Sequence, residues 1–225
     1  MNVVSRAIHW FGEASQWSGT DGIPARVGEH LYYSGLSLLI AALIALPLGL
    51  YVGHTGRGAF LAVNSAGAAR ALPTVGLVGL TVVVFGIGLT PTLLPLVALA
   101  IPPILVNTYA GVRQVDAQLR DAADGMGMTG FQVLFQVELP VALPLIVLGL
   151  RTAAVQIVST ATIAAYVGLG GLGRYIFDGL ARREYEVMIG GAVLSVLLAL
   201  GTEALFVGIQ RLIVSPGVRQ RALVK

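Results

Sequence analysis

Residues Asp121 to Pro140 read D-A-A-D-G-M-G-M-T-G-F-Q-V-L-F-Q-V-E-L-P, a polar island in a chain that is otherwise mostly apolar. Asp116 is placed to cap a short helix in which Leu119, Ala122, Ala123 and Met126 fall at i, i+3, i+4 and i+7. Gln118, Arg120, Asp121 and Asp124 take the other side, and Gly127 stops the helix. Thr129 with Gln132 three residues on makes a capping box for a second short helix, whose Phe131, Leu134 and Phe135 form another apolar stripe before Pro140 ends it. The pattern predicts two amphipathic helices at a near right angle, and it admits two readings. One is a docking surface: an alanine stripe flanked by glycines lets a partner's backbone approach closely, and an acidic rim of Asp121, Asp124 and Glu138 pairs with that partner's Arg or Lys. The other is an ordinary helix pair lying on lipid headgroups, an element that usually favours Lys and Arg on its polar face.

Around the island the chain is built for a bilayer. Of its 225 residues 56% are hydrophobic and 11% charged, too apolar a balance for a soluble domain, and the apolar residues come in long runs. The formal net charge of +3 is spread out and forms no basic patch of the kind that binds nucleic acid. There is no cysteine, so disulfides and thiolate metal sites are excluded. Residues 1–18 contain Arg6, His9 and Glu13 and lack a continuous apolar core, so no cleavable signal peptide is expected.

The expected fold class is all-α integral membrane, with five spans over about 31–51, 59–85, 92–109, 141–167 and 187–209. Residues 1–30 form an N-terminal segment in which Trp10, Phe11 and Trp17 suit the membrane interface, the alternative being a poorly ordered tail. Pro47 is expected to kink the end of the first span. Asn64, Ser65, Arg70 and Pro73 bend or break the second, and Pro102–Pro103 break or kink the third. The island, within a loop over 112–140, precedes the fourth span, the most polar one, with Arg151, Gln156, Ser159, Thr160 and Thr162. A loop over 168–186 and the fifth span follow, leaving a tail over 211–225. Arg57 in one short loop, no charge in 86–91, and four basic residues without an acid in the tail place the N-terminus outside and the C-terminus in the cytoplasm.

Asp121-Ala122-Ala123, Gly127, Val137, Leu139 and Pro140 resemble the EAA loop, E-A-A-x3-G-x9-I-x-L-P, of permease subunits of bacterial binding-protein-dependent ABC importers. The spacing fits at every position, with Asp121 for the usual Glu and Val137 for the usual Ile. The resemblance implies that the island is the cytoplasmic coupling element seated in a cleft of an ATPase subunit, with Met126 in the same stretch. It also implies a methionine-importer-type permease fold over about residues 28–217, in the bacterial cytoplasmic membrane. The implied partners are ABC ATPase subunits, a second permease identical or sister to this one, and an extracytoplasmic solute-binding protein. ATP and Mg would sit on the ATPase, and no cofactor is expected in this chain.

Three further sequence features bear on function. Gly168, Gly170 and Gly173 spell G-x-G-x-x-G, but they follow a long span rather than a short strand, so a dinucleotide site is not expected. Together with Gly171 they resemble the glycine-rich turn after the fourth span of these permeases, a tight bend at the outer mouth of the pathway or a flexible loop. No G-x4-G-K-[ST] occurs, so this chain is not expected to hydrolyse ATP itself. His9, His30 and His54 are far apart and show no metal-ligand spacing, and no catalytic nucleophile and base pair stands out.

Charges inside spans are functional by default, and Arg70, Arg151 and Glu203 qualify. Either the arginines snorkel to the headgroups and Glu203 pairs with one of them, or these residues, with Pro73 and Asn107, line or gate the pathway. Glu29-His30-Leu31, Arg70-Ala71-Leu72-Pro73, the P-P-I-x-x-N-T-Y-x-G run from Pro102 and Gly125-Met126-Gly127-Met128-Thr129 look like permeases for glycine betaine, carnitine, choline or proline. Uptake of such osmoprotectants under osmotic stress is therefore the expected function. Methionine or another small polar solute is the alternative, and a passive channel or a membrane-embedded enzyme are remoter ones.

Overall fold

The computed structural model describes residues 2–60, 64, 67 and 73–213. Among these no strand occurs, and the chain divides into two compact units. The helices are α1 (Val3–Gly12), α2 (Ile23–Thr55), α3 (Thr74–Phe85), α4 (Leu89–Arg113), α5 (Ala117–Gly125), the continuous helical run α6 (Gly130–Val167), α7 (Gly173–Arg182) and α8 (Tyr185–Ile213). Four of them, α2, α4, α6 and α8, are long and apolar enough to cross a membrane. Helix α3, at 12 residues, rises only about 18 Å and would not cross a hydrocarbon core alone. Most of the first half of the expected second span, including Ser65 and Arg70, falls outside the described residues.

The spans are longer than the hydrophobic runs suggest. Helix α2 begins at Ile23 rather than Leu31, because Arg26, Glu29 and His30 find partners along its first turns and do not interrupt it. Helix α4 runs unbroken through Pro102–Pro103, and α2 through Pro47. Each proline removes one donor, and the helix on either side holds the line.

The first unit comprises Met1–Leu39, Leu72–Ala98 and Ala154–Thr202. Its core gathers Trp10, Ile23, Leu172 and Tyr175, flanked by Phe11, Val27, Val187, Leu194 and Leu198. The Trp10 indole meets Tyr175 edge to face at 5.3 Å and lies so close to Gly190 that a Cβ there would sit 2.3 Å from the ring. The N-terminal segment is therefore a packed helix, capped by the Asn2 side chain, which accepts from the Ser5 N–H at 2.9 Å.

The stretch expected as a loop over 168–186 contains helix α7. Its buried positions Leu172, Tyr175 and Gly179, spaced three and four apart, are a helical signal that the surrounding glycines and charges concealed.

The second unit comprises Ile40–Ala71, Leu99–Ala153 and Glu203–Lys225. Val112, Ala142 and Ile146 form its core, with Leu46, Leu50, Leu139 and Leu150 around them. Gly49 and Gly53 of α2 face Thr108 and Val112 of α4 so closely that added Cβ atoms would fall 2.7 and 2.6 Å from those side chains. This G-x-x-x-G contact lets two apolar helices pack backbone to side chain, the usual solution where no hydrophobic effect drives association.

Candidate coupling site

Helix α5 is defined at both ends by its own sequence. The Asp116 carboxylate accepts from the Gln118 N–H at 2.9 Å. At the other end Gly127 has φ +79°, its N–H donates to Asp124 O, and the Met128 N–H donates to Ala123 O. This double bond pattern is a Schellman termination, which needs a residue content with the left-handed region. The expected capping box follows: the Thr129 N–H donates to Gln132 Oε1 at 2.7 Å, and the Gln132 N–H returns to Thr129 Oγ1.

Pro140 does not end the second helix. Gly130–Gln132 passes through a π-helical turn, Val133–Glu138, into the long segment Leu139–Thr160. The Leu139 N–H bonds five residues back, to Leu134 O, and the widened turn makes room for the pyrrolidine ring that would clash in a regular helix. The expected second short helix is thus the N-terminal end of the fourth span rather than a separate element.

Of the residues singled out in the island, Asp121, Ala122, Met126, Gly127 and Pro140 are exposed, Val137 and Leu139 are half-buried, and Ala123 is buried. Leu119, Met126 and Phe131 present their apolar side chains outward, Met126 at 76% and Phe131 at 72% exposure. Asp121 and Asp124 of α5 are also exposed. Glu138 corrects the sequence reading: it is no part of an acidic rim but is 1% exposed, with Oε2 at 2.7 Å from His54 Nδ1 and Oε1 at 2.9 Å from Arg120 Nε. Arg120 belongs with it rather than on the outer polar face.

Among the candidate pathway residues, Pro73 is extended (φ −70°, ψ 111°) and is where α3 starts, while residues 68–72 before it are outside the described ones. The Asn107 amide donates to Pro103 O of its own helix at 2.7 Å, and its Cβ faces Gly149. Arg151 and Glu203 form an ion pair joining α6 to α8, as the pairing reading expects. Arg70 is outside the described residues.

The glycine turn is a close-fitting latch in the first unit. The Gly171 N–H donates to Glu29 Oε2 at 2.7 Å, and a Cβ on Gly170 would fall 1.9 Å from that same oxygen. The Leu172 N–H approaches His30 Nδ1 at 3.3 Å while His30 Nε2 lies 2.8 Å from Val158 O. Since Nδ1 accepts, Nε2 carries the proton and donates, and the buried ring is satisfied on both sides without a metal. Gly168 (φ +84°) and Gly171 (φ +86°) supply the left-handed turns, and a Cβ on Gly173 would strike Thr162 O. Arg26 pairs with Glu29 at 2.9 Å and with Asp21, whose carbonyl accepts from the Tyr175 hydroxyl at 2.6 Å. Burial pushes that hydroxyl's pKa up, so it stays a donor at neutral pH. Among the described residues no cluster of His, Cys, Asp or Glu is arranged to hold a metal.

Long apolar helices packed through glycine contacts, with the D-A-A…G…L-P pattern running from the short helix α5 into the start of α6, are the features of a polytopic membrane protein. The chain belongs to the family of binding-protein-dependent transport system inner membrane components, whose family model matches residues 37–220. Among curated relatives it is 35% identical over 175 residues to the glycine betaine/carnitine/choline transport system permease protein OpuCB of Bacillus subtilis (strain 168), covering 78% of this chain and 81% of that one. It is 34% identical over 199 residues to the osmoprotectant import permease protein OsmW of Salmonella typhimurium, covering 85% and 91%.

Among solved structures, an inward-facing form of the MetNI methionine ABC transporter superposes with a TM-score of 0.70 at 27% identity, over 83% of this chain and 94% of that one. An amino acid ABC transporter with histidines shares the fold, with a TM-score of 0.70 at 18% identity over 94% and 98%. The chain is an ABC import permease, a membrane component of its transport system.

Proposed function

We propose that this permease carries a quaternary-ammonium osmoprotectant, of the glycine betaine, carnitine or choline type or the related proline, inward across the bacterial cytoplasmic membrane. The identity to permeases named for those solutes supports the reading, together with the P-P-I-x-x-N-T-Y-x-G run at Pro102. Methionine import is the second reading, favoured by the superposition on a methionine transporter. In either case an extracytoplasmic binding protein delivers the solute and a second permease completes the pathway. Separate ATPase subunits, holding ATP and Mg, dock on residues 121–140. The outward-facing Leu119, Ala122 and Met126, on a helix that also exposes Asp121 and Asp124, carry this docking assignment: an apolar face on a helix fixed at both ends, left exposed by the described residues. Closure of the ATPase pair draws the coupling helices together and rocks the spans. The N-terminus lies outside and the C-terminus in the cytoplasm, with Glu29 and the glycine turn at the outer mouth.

Two measurements test this. Cells without their own carriers, expressing this chain with its ATPase and binding protein, take up labelled glycine betaine and not labelled methionine; the reverse replaces the first solute class by the second. Ala122→Trp, at an exposed site, leaves the permease in the membrane and removes the co-purifying ATPase. Retention of the ATPase at wild-type level sinks the docking assignment.

A further inference from the structure

Glu138 is a fully buried carboxylate with two polar partners drawn from two other elements. His54 reaches it from the C-terminal turn of α2, and Arg120 from the middle of α5. The same Arg120 donates through Nη2 to the carbonyl of Val112, 2.5 Å away in the last turns of α4. Val112 is itself fully buried and packed on Gly53, the residue before His54. Four elements, α2, α4, α5 and α6, thus converge on one carboxylate and one guanidinium, all within the second unit.

A carboxylate shut away from water is stable only while its partners stay in place, because removing one leaves a buried charge uncompensated. Two of the contacts are directional hydrogen bonds, His54 Nδ1 to Glu138 Oε2 and Arg120 Nη2 to a helix-end carbonyl, where a cation is favoured, while Arg120 Nε meets the other carboxylate oxygen as an ion pair. Apolar packing would hold the same elements together but would let them slide. The sequence does not flag this arrangement, since His54 lies 84 residues from Glu138 and belongs to no local pattern with it.

We infer that Glu138, with His54 and Arg120, is the positioning residue that passes displacement of the docking helix α5 to the first and fourth spans. This rests on the docking reading proposed above. If α5 is moved by a partner, Arg120 carries Glu138 and the Val112 turn with it, and Glu138 carries His54. The docking face and the spans then move as one body.

The test uses the whole reconstituted importer and reads three quantities: ATPase retained on the permease, ATP hydrolysed, and solute moved per ATP. Glu138→Gln keeps the side chain's shape and removes its charge. The expected result is wild-type retention of the ATPase, continued hydrolysis, and a fall of about fivefold or more in solute per ATP. A second variant, His54→Phe with Arg120→Met and Glu138→Leu, replaces the cluster by apolar packing, a change that buried ion clusters commonly tolerate in stability. It is expected to accumulate normally and to show the same loss of solute per ATP. An unchanged ratio in either variant overturns the inference, and so does failure of both variants to accumulate, which would make the cluster a folding element only. A wild-type permease that retains no ATPase overturns the docking reading itself, a result visible before any variant is made.

Discussion

Gly127 turns the chain at φ +79° with open space around its Cα, so the backbone alone decides what the position tolerates. An alanine there would meet no neighbour but would hold a left-handed conformation that costs an L-residue about 1 kcal/mol. Two residues earlier Gly125 is helical and equally open, and an alanine should stabilise that turn by as much as about 1 kcal/mol. The pair makes a matched prediction: amide exchange at Gly127 and Met128 runs about fivefold faster in Gly127→Ala and slower in Gly125→Ala. Equal effects from the two substitutions would mean that the Schellman termination does not limit opening. Gly127 could be read from the sequence because a helix stop is local chemistry. Glu138 could not, since on paper it is one more acid of the island and only distant partners reveal it as buried.

At the scale of the element, the reciprocal capping box at Thr129 and Gln132 is the device that starts α6. Thr129→Ala removes a side-chain acceptor and should loosen the first turn by about 1 kcal/mol. Gln132→Ala removes the return bond to the Thr129 N–H and should cost less. Because the two bonds close one ring, the double variant is expected to lose less than the sum of the single losses by roughly 0.5 kcal/mol. Local amide exchange over residues 130–134 measures all three, and strict additivity would show the two bonds acting independently. Helix starts were legible here for the same reason as Gly127: Asp116, Thr129 and Gln132 act within four residues of themselves. What Pro140 and Pro102–Pro103 do was not legible. Pro140 is absorbed by a π turn and Pro102–Pro103 by a helix held on both sides, so a residue forbidden by local rules is permitted by its surroundings. Helix α7 was hidden by the opposite error, a glycine-rich approach taken for the whole segment.

The whole molecule was legible as a membrane protein because length and hydropathy are enough to recognise a span, and its family was legible because the island's spacing survives two conservative replacements. Its orientation rests on thinner grounds, a handful of basic residues, and the chain itself supplies the means of testing it. With no cysteine in the sequence, any single cysteine substitution creates the only thiol. Thr20 between α1 and α2, Ala181 near the end of α7 and Asp124 in α5 are all exposed, so a membrane-impermeant maleimide should reach each one once it is on the accessible side. Topology with the N-terminus outside places Thr20 and Ala181 together and Asp124 opposite them, since an odd number of crossings separates each from the island. Intact cells are therefore expected to label Thr20→Cys and Ala181→Cys and to spare Asp124→Cys, which labels only after the membrane is opened. The reverse pattern would invert the topology and put the exposed Leu119 and Met126 face where no cytoplasmic ATPase can reach it, removing the docking assignment along with the orientation. Labelling of Thr20→Cys without Ala181→Cys would instead require an odd number of crossings between them, and the span count, rather than the orientation, would have to change.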